Sequence, residues 1–200
     1  MKSSMSEINK VILIGGNNHS GLGVVRSFGV NGIKPYGIIV TKEKNENQFV
    51  QKSKYWKQVW QVATEEDAIR LLMNEFEQER LLPVLIPWSD SAAQCIDINL
   101  DKLKDKFIVP SIQNTQGAIG VLMNKYSQIK FAEKYNIPVA KTWICDFENS
   151  DTLNEVSFPC IIKPVASYEG NKQDIEKCVI LEELNALLLL KYDIPSLIQC

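Results

Sequence analysis

The chain reads as an α/β protein: a parallel sheet covered by helices over its first half, then a smaller part mixing helix and strand. Three observations predict this. Short β-rich runs alternate with helical patterns up to residue 110, as strand-to-helix crossovers require. Beyond Pro110 the pattern changes to one long helical stretch, and after Pro138 short apolar strands return. The chain of 200 residues has room for one large domain, or for one domain and part of a second.

Taken in order, residues 10–15 form a β-branched, apolar run that ends in Gly15-Gly16, and 21–30 read as a helix. Residues 35–40 are a second strand and 55–62 a third. Thr64 followed by Glu65, Glu66 and Asp67 is a capped helix start, with acidic residues where the helix dipole favours them, ahead of Ile69, Leu71, Leu72 and Phe76. Residues 82–88 are a fourth strand, 91–103 a helix, and 107–109 a short fifth strand closed by Pro110. The helical stretch 115–135, with a break near Asn124, stops at Asn136-Ile137-Pro138. The expected division is 1–113 and 114–200. In the second part, 140–145, 159–163, 178–180 and 196–199 read as strands, and 152–156 and 181–190 as helices.

Composition removes several function classes. Apolar residues make up 45% and charged residues 23%, the balance of a folded globular chain. With 22 Lys+Arg against 24 Asp+Glu the net charge is −2, so no basic excess favours nucleic acid. The longest apolar runs, 11–14, 84–88 and 187–190, fall far short of the ~20 residues that span a bilayer. No apolar segment precedes a cleavage site near the N-terminus, so a cytoplasmic protein is expected. The five cysteines (Cys95, Cys145, Cys160, Cys178, Cys200) are widely spaced with no Cys-x-x-Cys pair, and His19 is the only histidine. They read as ordinary thiols and no metal site is expected from them.

Several constellations could carry chemistry. The loop 15–23, Gly-Gly-Asn-Asn-His-Ser-Gly-Leu-Gly, joins a strand to a helix. Such a loop can bring bare backbone and free amides to an anion, or be no more than a tight turn. It lacks the Gly-x-Gly-x-x-Gly spacing and the Lys-Ser/Thr ending of a P-loop. Trp88-Ser89-Asp90 ends the fourth strand, where ligands gather in open α/β sheets, although Ser89 or Asp90 would equally serve as a helix cap. Gly16, Asn17, Ser20, Gly21 and Asp90 are thus the candidates for a small-molecule substrate side. Lys125 follows Asn124 in the helical stretch, and taken singly is a solvated helix lysine. In Phe158-Pro159-Cys160-Ile161-Ile162-Lys163-Pro164 a lysine ends an apolar strand, where it faces either water or an anion. The polar loop 166–172, Ala-Ser-Tyr-Glu-Gly-Asn-Lys, suits a lid over phosphates or an ordinary hairpin.

Taken together and in order, these pieces resemble the ATP-grasp superfamily of carboxylate–amine (or thiol) ligases, which includes the carbamoyl-phosphate synthase large chain, biotin carboxylase and D-alanine–D-alanine ligase. The resemblance covers nearly the whole chain. Residues 1–113 look like the Rossmann-like domain that precedes the ATP-grasp fold, and 114–200 like its helical connection and first α+β subdomain, truncated. Lys125 looks like the first ATP lysine, Ile137-Pro138-Val139 like the family's turn, Lys163 like the second ATP lysine, and Leu197-Ile198-Gln199 like the hinge strand beside adenine. The resemblance implies an ATP-binding role for Lys125, Lys163, Ser167, Gly170 and Gln199, with no catalytic residue of its own within these 200 residues. It also implies small-molecule carboxylate and amine substrates, an acyl-phosphate intermediate, and magnesium ligands beyond residue 200. The loop 166–172 departs from the family's Gly/Ser-rich pattern by carrying Tyr168 and Glu169.

The chain stops on an apolar strand, so Cys200 is expected to be a truncation point, with self-association of the fragment as one way of covering the strand. The reading from another class is a non-catalytic nucleotide or small-ligand binding module on the parallel sheet. A dinucleotide-dependent oxidoreductase ranks below both, because its glycine fingerprint is incomplete.

Overall fold

The computed structural model describes residues 8–42, 49–76, 78–145, 156–165, 179–181 and 196–199. The chain divides into two compact units, Met1–Gly120 and Val121–Cys200.

The first unit is a four-stranded parallel sheet of β1 (Val11–Gly16), β2 (Tyr36–Val40), β3 (Gln58–Val62) and β4 (Val84–Pro87) in the order β3-β2-β1-β4. Side chains alternate across a strand, so the unbroken apolar run of β1 supplies two cores. Ile12 and Ile14, with Ile38 and Leu85, pack against Ala68, Leu72 and Phe76 of α2 (Glu65–Phe76) and Ala92, Cys95 and Ile96 of α3 (Asp90–Ile98). Leu13 and Ile39 face the other way, onto Val25 of α1 (His19–Val30), Val50, Trp56 and Trp88. Cys95 and Cys160 are both buried.

Local signals explain the helix ends. Asp67 donates its N–H to Thr64 Oγ1 at 3.1 Å and accepts the Thr64 hydroxyl on Oδ2 at 2.9 Å, the capped start that residues 64–67 predict. Helix α1 begins two residues ahead of the predicted start because Asn18 caps it, accepting the Gly21 N–H at 3.0 Å. It ends at Val30, and just past it Gly32, with φ of +80, lets Ile33 N–H reach back to the Phe28 carbonyl at 3.1 Å.

Three elements differ from expectation, and a fourth divides where its sequence suggests. Strand β3 starts at Gln58 because Trp56 is drawn into the core, its Nε1–H donating to the Val50 carbonyl at 2.8 Å. The helix expected over 91–103 breaks at Asn99, whose side chain donates to the Cys95 carbonyl at 2.9 Å, leaving α3 and the short α4 (Leu100–Leu103). The strand expected over 107–109 is a single bridge, Ile108 to Val84, since Pro110 has no N–H with which to continue it. The stretch 115–135 is two helices, α5 (Ala118–Met123) and α6 (Lys125–Lys134), parted at Asn124 as its sequence suggests. The helices expected over 152–156 and 181–190 lie outside the described residues, except for Val156, which is buried, and Leu181, which ends a strand.

Residues 116–120 are held by the first unit. Gln116 Oε1 accepts the Asp101 N–H at 3.0 Å, the Gly117 N–H reaches the Asp97 carbonyl at 3.4 Å, and the Gly120 N–H donates to Asp97 Oδ2 at 2.8 Å.

In the second unit, α6 precedes an antiparallel sheet of β5 (Thr142–Cys145), β6 (Cys160–Pro164), β7 (Val179–Leu181) and β8 (Ser196–Gln199), in the order β5-β8-β6-β7. Helix α6 stops where Asn136 adopts φ +54. The N–H groups of Asn136 and Ile137 then return to the carbonyls of Glu133 and Ala132 at 3.0 and 2.9 Å, and Pro138 blocks any further turn. Cys160, Ile162, Leu197 and Ile198 are buried in this sheet. Among the described residues no helix is long and apolar enough to cross a membrane.

Candidate functional site

The candidate residues fall into two groups, one in each unit. In the first unit the chain winds from β1 outward to β2 and β3, then crosses back to β4 on the other side of β1. The order reverses between β1 and β4, and in open sheets that crevice, at the carboxyl ends of the strands, is where ligands bind. Both helices that start there are capped from within: Asn18 accepts from Gly21 at α1, and Ser89 Oγ accepts the Ala92 N–H at 3.3 Å at α3. Ser89 is therefore the cap of α3, and Asp90 is an exposed carboxylate in its first turn.

Trp88 decides what the glycines do. Its Nε1–H donates to the Gly16 carbonyl at 2.8 Å, and its indole lies against Gly15 and Gly21. A Cβ at either position would come within 2.7 Å of the ring. Gly21 is buried, so its missing side chain serves packing, and the indole covers backbone that a pyrophosphate-binding loop would leave bare. Gly16 is different: a Cβ there would meet nothing closer than 3.9 Å. Asn17 is tied inward, its Oδ1 accepting the Val50 N–H at 3.2 Å. Of the five substrate-side candidates, Ser20 and Asp90 are exposed at the carboxyl edge and Gly16, though its carbonyl is taken by Trp88, has room for a Cβ, whereas Asn17 and Gly21 have structural partners. The signal for this role of Trp88 is a bulky aromatic at the end of β4 opposite a Gly-Gly strand end.

In the second unit, antiparallel pairing puts Thr142, Gln199 and Ile161 in one cross-strand row and Ile144, Leu197 and Lys163 in the row two residues on. Directly opposed residues, and residues two apart, share a face. Lys163 and Gln199 therefore lie on the same face of adjacent strands, diagonal to each other, at a general spacing of about 7–8 Å. The Gln199 amide is oriented by Thr142: Nε2–H donates to Oγ1 at 3.0 Å, and that hydroxyl donates to the Ala140 carbonyl at 2.8 Å. Thr142 is a residue that sequence reasoning missed, since nothing local marks it.

Lys125 joins this group through the backbone. It is the first residue of α6, whose cap Asn124 accepts the Ser127 N–H at 3.1 Å, and its own N–H donates to the Val165 carbonyl at 3.0 Å. The start of α6 is thus fastened just past the end of β6, two residues from Lys163. A helix N-terminus and two lysine positions brought near one another by the backbone, with an amide and a hydroxyl on the neighbouring strands, can hold a polyanion with a hydrogen-bonding ring. Ser167 and Gly170, the expected loop contacts, lie outside the described residues.

No protein-family model matches the chain, and no curated protein matches it. Solved structures do. The N5-carboxyaminoimidazole synthetase from Staphylococcus aureus complexed with ADP matches at TM-score 0.64 and 16% identity, over 96% of this chain and 49% of that one. The L-amino acid ligase from Bacillus licheniformis matches at TM-score 0.66 and 13% identity, over 97% of this chain and 44% of that one. An N5-carboxyaminoimidazole synthase from Aspergillus clavatus, in complex with ADP and 5-aminoimidazole ribonucleotide, matches at TM-score 0.61 and 15% identity, over 96% and 46%. These are ATP-grasp ligases, and the chain shares the fold of a portion of them while spanning less than half of their length.

Proposed function

We propose that the chain is the N-terminal portion of an ATP-dependent carboxylate–amine ligase and supplies one side of its nucleotide site. The observation that carries this reading is the bond from Lys125 N–H to the Val165 carbonyl, which brings the start of α6 to the strand that bears Lys163, on a sheet face shared with Gln199. The ADP found in two of the similar structures supports the same ligand class.

In this reading Lys125 and Lys163 balance the triphosphate charge as mobile point cations, and Gln199, steadied by Thr142, offers its amide and adjoining main chain to the adenine edge. The substrate carboxylate oxygen attacks the γ-phosphorus and the bond to the β–γ bridging oxygen breaks, releasing ADP and an acyl phosphate. The amine nitrogen then attacks the acyl carbon, phosphate leaves, and the nitrogen gives up a proton. Gly16, Ser20 and Asp90, at the carboxyl edge of the parallel sheet, are assigned to the acceptor substrates. Magnesium, which phosphoryl transfer from ATP ordinarily uses, finds no fit here: among the described residues no group of three or more His, Cys, Asp or Glu could hold it. None of the roles given to these side chains runs through a metal.

The test is an ADP titration of the chain, followed by calorimetry or by NMR of labelled amides. We expect saturable binding with a Kd on the order of 0.1–1 mM, weakened at least tenfold by Lys125→Ala and by Lys163→Ala. Absence of saturable binding at 10-fold higher ADP, or equal affinity in the double variant, overturns the assignment.

A further inference from the structure

We propose a second ligand site in the first unit: a groove along the flank of α1 that takes a small organic anion with a flat apolar body, such as an aromatic phosphate or carboxylate. The groove is open to solvent on one side and has a volume of about 440 Å³, within the usual range for small-molecule sites. Leu22, Phe49 and Tyr55 form its apolar lining, and Arg26, Lys52 and Lys54 contribute the charge. Among the described residues no acidic side chain lines it. In a chain whose net charge is −2, three cations gathered in one concavity are a local reversal of sign. Their mutual repulsion is relieved by an anion, and a concave, partly apolar wall concentrates the field that attracts one.

The walls are fixed before any ligand arrives. The Tyr55 side chain is pressed against Gly29 of α1, where a Cβ would come within 2.1 Å of its Cγ. Phe49 is held by the His19 ring at a centroid distance of 5.1 Å. Val50, between them in the chain, is fully buried and accepts the Trp56 indole N–H at 2.8 Å, while its own N–H is taken by Asn17. Lys52 and Ser53 donate their N–H groups to the Phe49 and Val50 carbonyls at 3.2 and 3.3 Å, which folds 49–53 into a turn that carries both lysines to the rim. Lys54 Nζ stands 5.3 Å above the Tyr55 ring, and Arg26 reaches the groove from α1 with a planar fork suited to a phosphate or carboxylate. A pair of aromatic walls and an arginine fork select for a ligand with both a ring and a charge. Neither half alone uses the whole site.

The probe is phenyl phosphate, titrated into isotopically labelled chain, with inorganic phosphate and phenol as its two halves. Phenyl phosphate is expected to shift the amides of Leu22, Arg26 and residues 49–55 saturably, at least tenfold more tightly than either half, and to weaken as salt is raised from 50 to 300 mM, roughly as the shortening Debye length dictates. Arg26→Gln and Lys52→Gln, both at exposed positions, should each weaken it several-fold and together at least tenfold while the remaining spectrum stays folded. The proposal fails if those amides do not shift, if inorganic phosphate binds as tightly as phenyl phosphate, or if salt leaves the affinity unchanged. These last two arms use the unaltered chain, so they hold whatever the variants do. ADP binding reads Lys125 and Lys163 and this titration reads Arg26, so either assignment can fall without the other.

Discussion

The Trp88 indole N–H donates to the carbonyl oxygen of Gly16, 72 residues away in sequence, and closes the end of β4 onto the end of β1. This one contact sorts the glycines of the loop into those that a ring must cover and one that it leaves open.

Gly21→Ala and Gly15→Ala should each destabilise the first unit by about 1–3 kcal/mol, because the new methyl meets the indole and the sheet cannot yield cheaply around it. Gly16→Ala should stay within about 0.5 kcal/mol, as its Cβ meets only open space and ordinary contacts. Urea denaturation of the three variants checks this; equal losses at all three would remove the special role of Trp88.

Lys163→Ala should leave folding stability within about 0.5 kcal/mol while ADP affinity falls, since Lys163 is only half-buried. A large drop in unfolding midpoint with unchanged ADP affinity would make Lys163 a structural residue.

Thr142→Val keeps the shape of the side chain and removes the hydroxyl that orients Gln199. One lost hydrogen bond corresponds to about a two- to tenfold weaker affinity for ADP, whereas pyrophosphate, which has no adenine, should bind as before. A parallel loss for both ligands would show that Thr142 does not act through the ring end of the site.

Asp97 is fully buried, and its carboxylate accepts from Gly120, so Asp97→Ala leaves a half-buried N–H without this acceptor at the point where the chain leaves the first unit. We expect a loss of about 1–3 kcal/mol and faster hydrogen exchange at Gly120 than at the α3 amides. Unchanged exchange at Gly120 would mean that the segment is held without this bond.

Burial, reinforced by the carboxylates of Glu66 and Glu65, pushes the Cys95 thiol up to about 11 from 9.0. Folded Cys95 should resist alkylation at pH 8 and react only as fast as the chain opens. The unfolded thiol loses its proton first, so this group's contribution to stability is intact below about pH 9 and falls as pH rises towards 11. The stability difference between the wild type and Cys95→Ala, measured by urea unfolding from pH 7 to 11, should be flat and then shrink over that window.

The sequence by itself determined the elements and their class. Thr64 to Asp67, Asn136-Ile137-Pro138 and the β-branched run into Gly15-Gly16 each carry a local signal, because capping, termination and period-two burial depend on residues a few positions apart. The same locality exposed Lys163 as a lysine ending an apolar strand. The breaks at Asn99 and before Gln58 escaped it, since an asparagine bonding back to Cys95 and a tryptophan drawn under β2 obey packing rather than pattern. Only the tertiary structure decided which residues stand together. The place of β8 between β5 and β6 sets Gln199 beside Thr142 and on the face of Lys163, and the Lys125 tether adds the helix start. Likewise, only the approach of Trp88 shows that Gly21 is a packing glycine and Gly16 is not. These pairings join residues tens of positions apart. They are set by register and by the shape of buried side chains, and neither leaves a trace in the spacing of residues along the chain.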